Sequence, residues 1–302
     1  MIVNTTGANN TAIGTVALAA NTTGASNTAV GCGALTANTT ANNNTAVGMC
    51  AMIATTTGAN NTAVGFSALD TNTTGCENVA VGRDTLFSNT SGERNVALGY
   101  RALCANTSGD FNIAVGRQSL FGNTTGERNS VLGLNAMYTN TTGGCNVAIG
   151  GNALYSNTTA ANNTAVGACS LEANTTGAEN VAVGALAGDS NTTGSGNVFI
   201  GKEAGQANTT ASGNVAIGQN TFDANSTGAG NVAVGSAALG ANTTGSSNSA
   251  LGKDALAANT TAFGNTAVGR ESLIANTTGD TNTAIGFKAL CTCGFWWLCF
   301  IR

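Results

Sequence analysis

The chain has no histidine and no proline, and only 8% of its 302 residues are charged. Without histidine there is no Ser-His or Cys-His arrangement for nucleophilic catalysis. Carboxylates are few and no pair of them recurs, so an enzyme is not expected. The net charge is −4, with no basic patch to meet phosphate, which excludes nucleic acid as an expected partner. No run of about 20 apolar residues is present, so no segment is expected to span a membrane. Met1-Ile2-Val3-Asn4 enters a repeat at once, with neither a basic nor an apolar leader region, and no signal peptide is visible. The chain would then be exported without one, be released by lysis, or be a fragment.

Cysteine is present but unorganised. Cys32, Cys50, Cys76, Cys104, Cys145, Cys169, Cys291, Cys293 and Cys299 are odd in number and fall at several different repeat positions. That pattern is no disulfide framework and has no metal-ligand spacing, so neither a metal nor a cofactor is expected. It fits synthesis in a reducing compartment.

What the sequence has is repetition. A glycine after an Asn-x-Ala-aliphatic unit recurs from Gly14 and Gly31 to Gly286 at an unvarying interval of 17 residues. The consensus is N-(T/V)-A-(V/I/L)-G-x-x-A-L-x-x-N-T-T-G-x-x, counted here from its first Asn as positions one to seventeen. Low charge with 42% hydrophobic residues favours an ordered repeat over disorder. A period this short cannot hold two helices. The Asn-Val-Ala-Val segment alternates with period 2, as a strand does, and the Ala-Leu segment reads as a second strand. No Asn-Gly or Asp-Gly hairpin dipeptide occurs, so each strand pairs in parallel with its copy one turn later. The expected fold is an all-β parallel β-solenoid (β-roll) of 17 turns of 17 residues, over residues 1–292, with an apolar non-repeat tail at 293–302. At a rise of about 4.8 Å per turn the rod would be roughly 80 Å long.

Within the turn, the aliphatic fourth position (Ile13, Val30, Val47, to Ile285) and the Leu position are expected to stack as the core. Two asparagine ranks are expected to form inward ladders, each amide bonding to backbone and to its copy in the next turn. The first rank includes Asn10, Asn27, Asn44, Asn61, Asn78 and Asn95. The second includes Asn21, Asn38, Asn72 and Asn89, and only Thr55 breaks it. Every second-rank asparagine also sits in an N-glycosylation sequon, the competing reading. Glycan attachment cannot explain the first rank, which is no sequon yet more regular.

The unit, as in Asn180-Val181-Ala182-Val183-Gly184, resembles the repeat of YadA-like trimeric autotransporter adhesin heads, and the full 17-residue unit looks like repeats of phage-type tail fibres. The likeness covers residues 4–292. It implies a left-handed parallel β-roll, three chains side by side, acting as an adhesive head or shaft. Adhesin heads have shorter turns, and this chain shows no coiled-coil stalk, membrane anchor or C-terminal chaperone region.

Phe87, Cys104, Phe121, Tyr138 and Tyr155 follow the Leu position in five successive turns. This stripe reads as a chain–chain interface, a ligand strip, or aromatics that stabilise the coil's own surface. Arg83, Asp84, Glu93, Arg94, Arg101, Asp110, Arg117, Glu127 and Arg128 cluster in the same turns, most simply as solvated surface. The expected function is a structural or adhesive fibre module of a phage, virus or bacterial surface, located on a cell surface or virion. Its partners would be copies of itself, in a homotrimer or end-to-end filament, and a cell-surface receptor or glycan. The alternative is an ice-binding β-solenoid using Thr ladders such as Thr22/Thr23, although adjacent threonines point to opposite faces of a strand. The tail could plug the solenoid's end, bury itself between chains, or be a reading-frame artefact.

Overall fold

Each Asn-x-Ala-x-Gly unit contributes one three-residue strand, and the strand of each turn lies parallel to that of the next. The computed structural model describes residues 3–291, so the tail at 293–302 lies outside the described residues. The fold is a parallel β-solenoid with one strand per 17-residue turn. The chain divides into two compact units, Met1–Asn152 and Ala153–Arg302. The first unit carries β1 (Thr11–Ile13) to β9 (Val147–Ile149), and the second β10 (Thr164–Val166) to β17 (Thr283–Ile285). Register follows the repeat: Thr11 pairs with Thr28, Ala12 with Ala29 and Ile13 with Val30.

The expected second strand is absent among the described residues. In its place the chain turns, with Val16 at φ 51° and Leu18 at φ 50°. Left-handed backbone at branched or bulky residues is unusual, and here neighbouring turns hold it in place. Leu18 N–H donates to Ala34 O at 2.9 Å, and Gly33 N–H to Thr15 O at 2.9 Å. The invariant glycine after the strand has a separate reason. Gly31 has φ +136°, and a Cβ there would run into the Gly48 carbonyl of the next turn.

The core differs from the expectation. The fourth-position aliphatics do not stack inside: Leu132, in the eighth turn, is 50% exposed. The buried strand residue is the third, the alanine (Ala29, Ala46, Ala63), and it packs with the Ala-Leu ranks such as Ala34 and Leu35. Strand parity gives the reason. Inward asparagine at position one places position three inward and positions two and four outward. The leucine rank then fills most of the narrow interior, and the third position opposite it is alanine in all turns but those of Val131 and Phe199.

One site tests this account of volume. Phe199 replaces the core alanine in Val198–Ile200 (β12) and is wholly buried. The leucine position is glycine at Gly188 and Gly205, and a Cβ at either would strike the Phe199 ring. One ring thus occupies space that two leucines fill elsewhere. Phe199→Ala should therefore destabilise the second unit by about 3–5 kcal/mol. Adding Gly188→Leu and Gly205→Leu should recover most of that loss, as read by urea denaturation.

Candidate interface on the strand face

The asparagine ranks decide which strand face meets solvent. Asn27 N–H donates to Asn10 Oδ1 at 2.9 Å, and Asn27 Nδ2 donates to Ala41 O at 2.8 Å. The same pattern continues through Asn44, Asn61, Asn78 and Asn95, all fully buried, while Asn10 in the first turn is half-buried. In the second rank Asn38 Nδ2 donates to Asn21 Oδ1 at 2.7 Å and to Ala41 O at 3.2 Å. Asn89 Nδ2 likewise reaches Asn72 Oδ1 at 2.9 Å and Gly92 O at 3.0 Å. Asn21, Asn38, Asn72 and Asn89 are all fully buried.

With these amides inside, the strands turn positions two and four outward. Position four is Val, Ile or Leu in every turn, and much of it meets solvent: Val81 is 37% exposed and Ile113, at position two, 46%. In the second unit Ile200, Ile217 and Leu251 are also exposed. Within each unit two files of side chains run along the turns, about 4.8 Å apart along a file and roughly 7 Å between files. The sequence reading missed this face because both strand faces are apolar enough to serve as a core. Its signal was a large aliphatic fixed in every turn beside a small alanine that only Val131 and Phe199 replace.

The aromatic stripe is a different surface. Phe87, Phe121 and Tyr138 are half-buried and Cys104 is buried. Phe121 and Tyr138 stack with ring centroids 4.9 Å apart, and the Arg101 guanidinium lies 4.9 Å from the Phe121 ring. Burial also pushes the Cys104 thiol up, against the Arg101 hydrogen bond that lowers it, so this thiol holds its proton. Tyr155, half-buried, occupies the same position in the second unit.

The charges of these turns alternate with exposed rings. Arg83 lies over Phe66 at 5.5 Å and over Tyr100 at 5.9 Å. Arg94 and Arg128 lie over Phe111 at 5.3 and 5.6 Å. Arg94 also pairs with Glu77 of the preceding turn at 2.8 Å. Exposed contacts of this kind stabilise weakly one by one. Among the described residues no group of three or more His, Cys, Asp or Glu is placed to hold a metal, and no helix is long and apolar enough to cross a membrane.

The position that carries the aromatic stripe carries carboxylates in other turns, Asp189 and Asp223 of the second unit among them. Burial raises both carboxyls above their ordinary range, while hydrogen bonds from Gln206 and Ser190 to Asp189 lower it and nearby Glu172 raises it further. A raised carboxyl favours the fold while protonated and loses that contribution as pH climbs through its folded pKa. Asp189→Asn should therefore raise the melting temperature at neutral pH, and the gain should vanish below about pH 3.9, the ordinary Asp value.

The ladder has one fault. Thr55 replaces a second-rank asparagine, and both its Oγ1 and the Asn38 Oδ1 it faces are buried without a partner. Thr55→Asn would offer an amide to Asn38 and an acceptor to Asn72. Stability should rise by about 1–3 kcal/mol, measured by chemical denaturation. No family model matches the chain, and no curated protein matches it.

Proposed function

We propose that the chain is a structural fibre module of a phage, virus or bacterial surface that works by lying alongside copies of itself. One observation carries the reading: a branched aliphatic occupies the outward fourth position of every turn, although the fold does not use it as core. Long apolar surface of this kind mark association sites. Selection for folding alone would leave an outward position free to change its chemistry, as position seventeen does, from Ser26 and Asn43 to Glu77, Arg94 and Phe111. The repeat's likeness to adhesin heads supports three copies side by side. Surfaces left outside would be available to a cell-surface receptor or glycan.

A second reading, ice binding, is favoured by the four strands from Thr11–Ile13 to Thr62–Val64, where outward Thr and Val or Ile alternate on a two-file face. The Thr-Thr pairs offer less. The Thr22 hydroxyl donates to Thr39 O at 3.0 Å, which leaves a single exposed file at Thr23 and its copies.

Sedimentation velocity separates the two. The fibre reading expects an oligomer that Val81→Lys with Leu132→Lys converts to a monomer of unchanged circular dichroism. A wild-type monomer that produces thermal hysteresis would overturn it in favour of ice binding.

A further inference from the structure

Sixteen second-rank asparagines stand in Asn-x-Ser/Thr sequons, from Asn4-Thr5-Thr6 to Asn276-Thr277-Thr278. All but Asn4 are buried. In most of them both amide hydrogens are already in use. Asn106 Nδ2, for example, donates to Asn89 Oδ1 at 2.8 Å and to Gly109 O at 3.0 Å. Four other sequons belong to a different position. Asn9, Asn43, Asn60 and Asn162, each followed by Asn and Thr, are exposed at left-handed corners. The same chain thus holds two classes of acceptor with opposite accessibility.

We infer that this chain folds only where N-glycan transfer does not reach it, because a sugar on a second-rank asparagine and the fold exclude one another. In the transfer, amide Nδ2 attacks the anomeric carbon of a lipid-pyrophosphate-linked oligosaccharide. The N–C bond forms, the C–O bond to pyrophosphate breaks, the lipid pyrophosphate leaves with the electron pair, and the amide gives up one proton. The product has one N–H where the ladder uses two, and it carries a hydrated sugar at an atom enclosed by neighbouring turns. A buried polar group without its partners opposes folding. The fault would recur at turn after turn. The exposed corner class bears no such conflict, and a sugar there would project into solvent.

The test makes the full chain by two routes. Chain folded in a bacterial cytosol is treated with an oligosaccharyltransferase and its lipid-linked oligosaccharide, and site occupancy is read by peptide mass spectrometry. Sugar should be confined to the exposed class, with Asn4 also open, and should disappear from the corners when Asn9, Asn43, Asn60 and Asn162 are changed to Gln. Chain directed through a eukaryotic secretory pathway should carry sugar at second-rank sites and be aggregated or protease-sensitive. Blocking glycan transfer in the same cells should restore soluble, protease-resistant chain. Sugar at Asn38 or Asn106 on the folded cytosolic chain would overturn the inference. So would a soluble, protease-resistant chain from the secretory route with transfer active.

Discussion

The buried asparagine amide is the constraint on which the other features rest. A primary amide has two hydrogens and one carbonyl oxygen, and each turn must satisfy all of them away from water. In both ranks the oxygen accepts from the next turn, while the amide hydrogens reach a backbone carbonyl and, in most turns, the preceding copy. This arrangement closes only if successive turns stay in register. An insertion of one residue would put an amide against the wrong carbonyl, which accounts for a period that never varies along the chain.

From the first rank the strand faces follow. Asparagine inside puts alanine inside and the larger aliphatics outside, against the ordinary tendency to bury the larger side chain. The leucines make this tolerable. They lie at left-handed backbone on the far wall and fill the interior that alanine leaves. Phe199 beside Gly188 and Gly205 shows core volume moved from one wall to the other.

A solenoid built this way has an interior almost without variation and an exterior that can change by turn. The alternating arginines and rings of the first unit, and the half-buried carboxylates of the second, occupy positions where the ladders make no demand. The aliphatic fourth position is the exception, an outward residue held as tightly as an inward one. That contrast is what directs attention to self-association.

The sequence by itself determined the period, the parallel pairing of turn on turn and the single break at Thr55, because each depends only on which residue types recur and at what spacing. It did not determine which strand face is interior. Asn-Val-Ala-Val alternates equally well either way, and hydropathy favours the wrong one. It also did not reveal that the Ala-Leu segment is a left-handed turn, since no propensity places leucine there. Only the tertiary structure decided these points, through the amides of neighbouring turns. They meet only when the asparagines face inward, and the outward aliphatic file and the shielding of the sequons then follow.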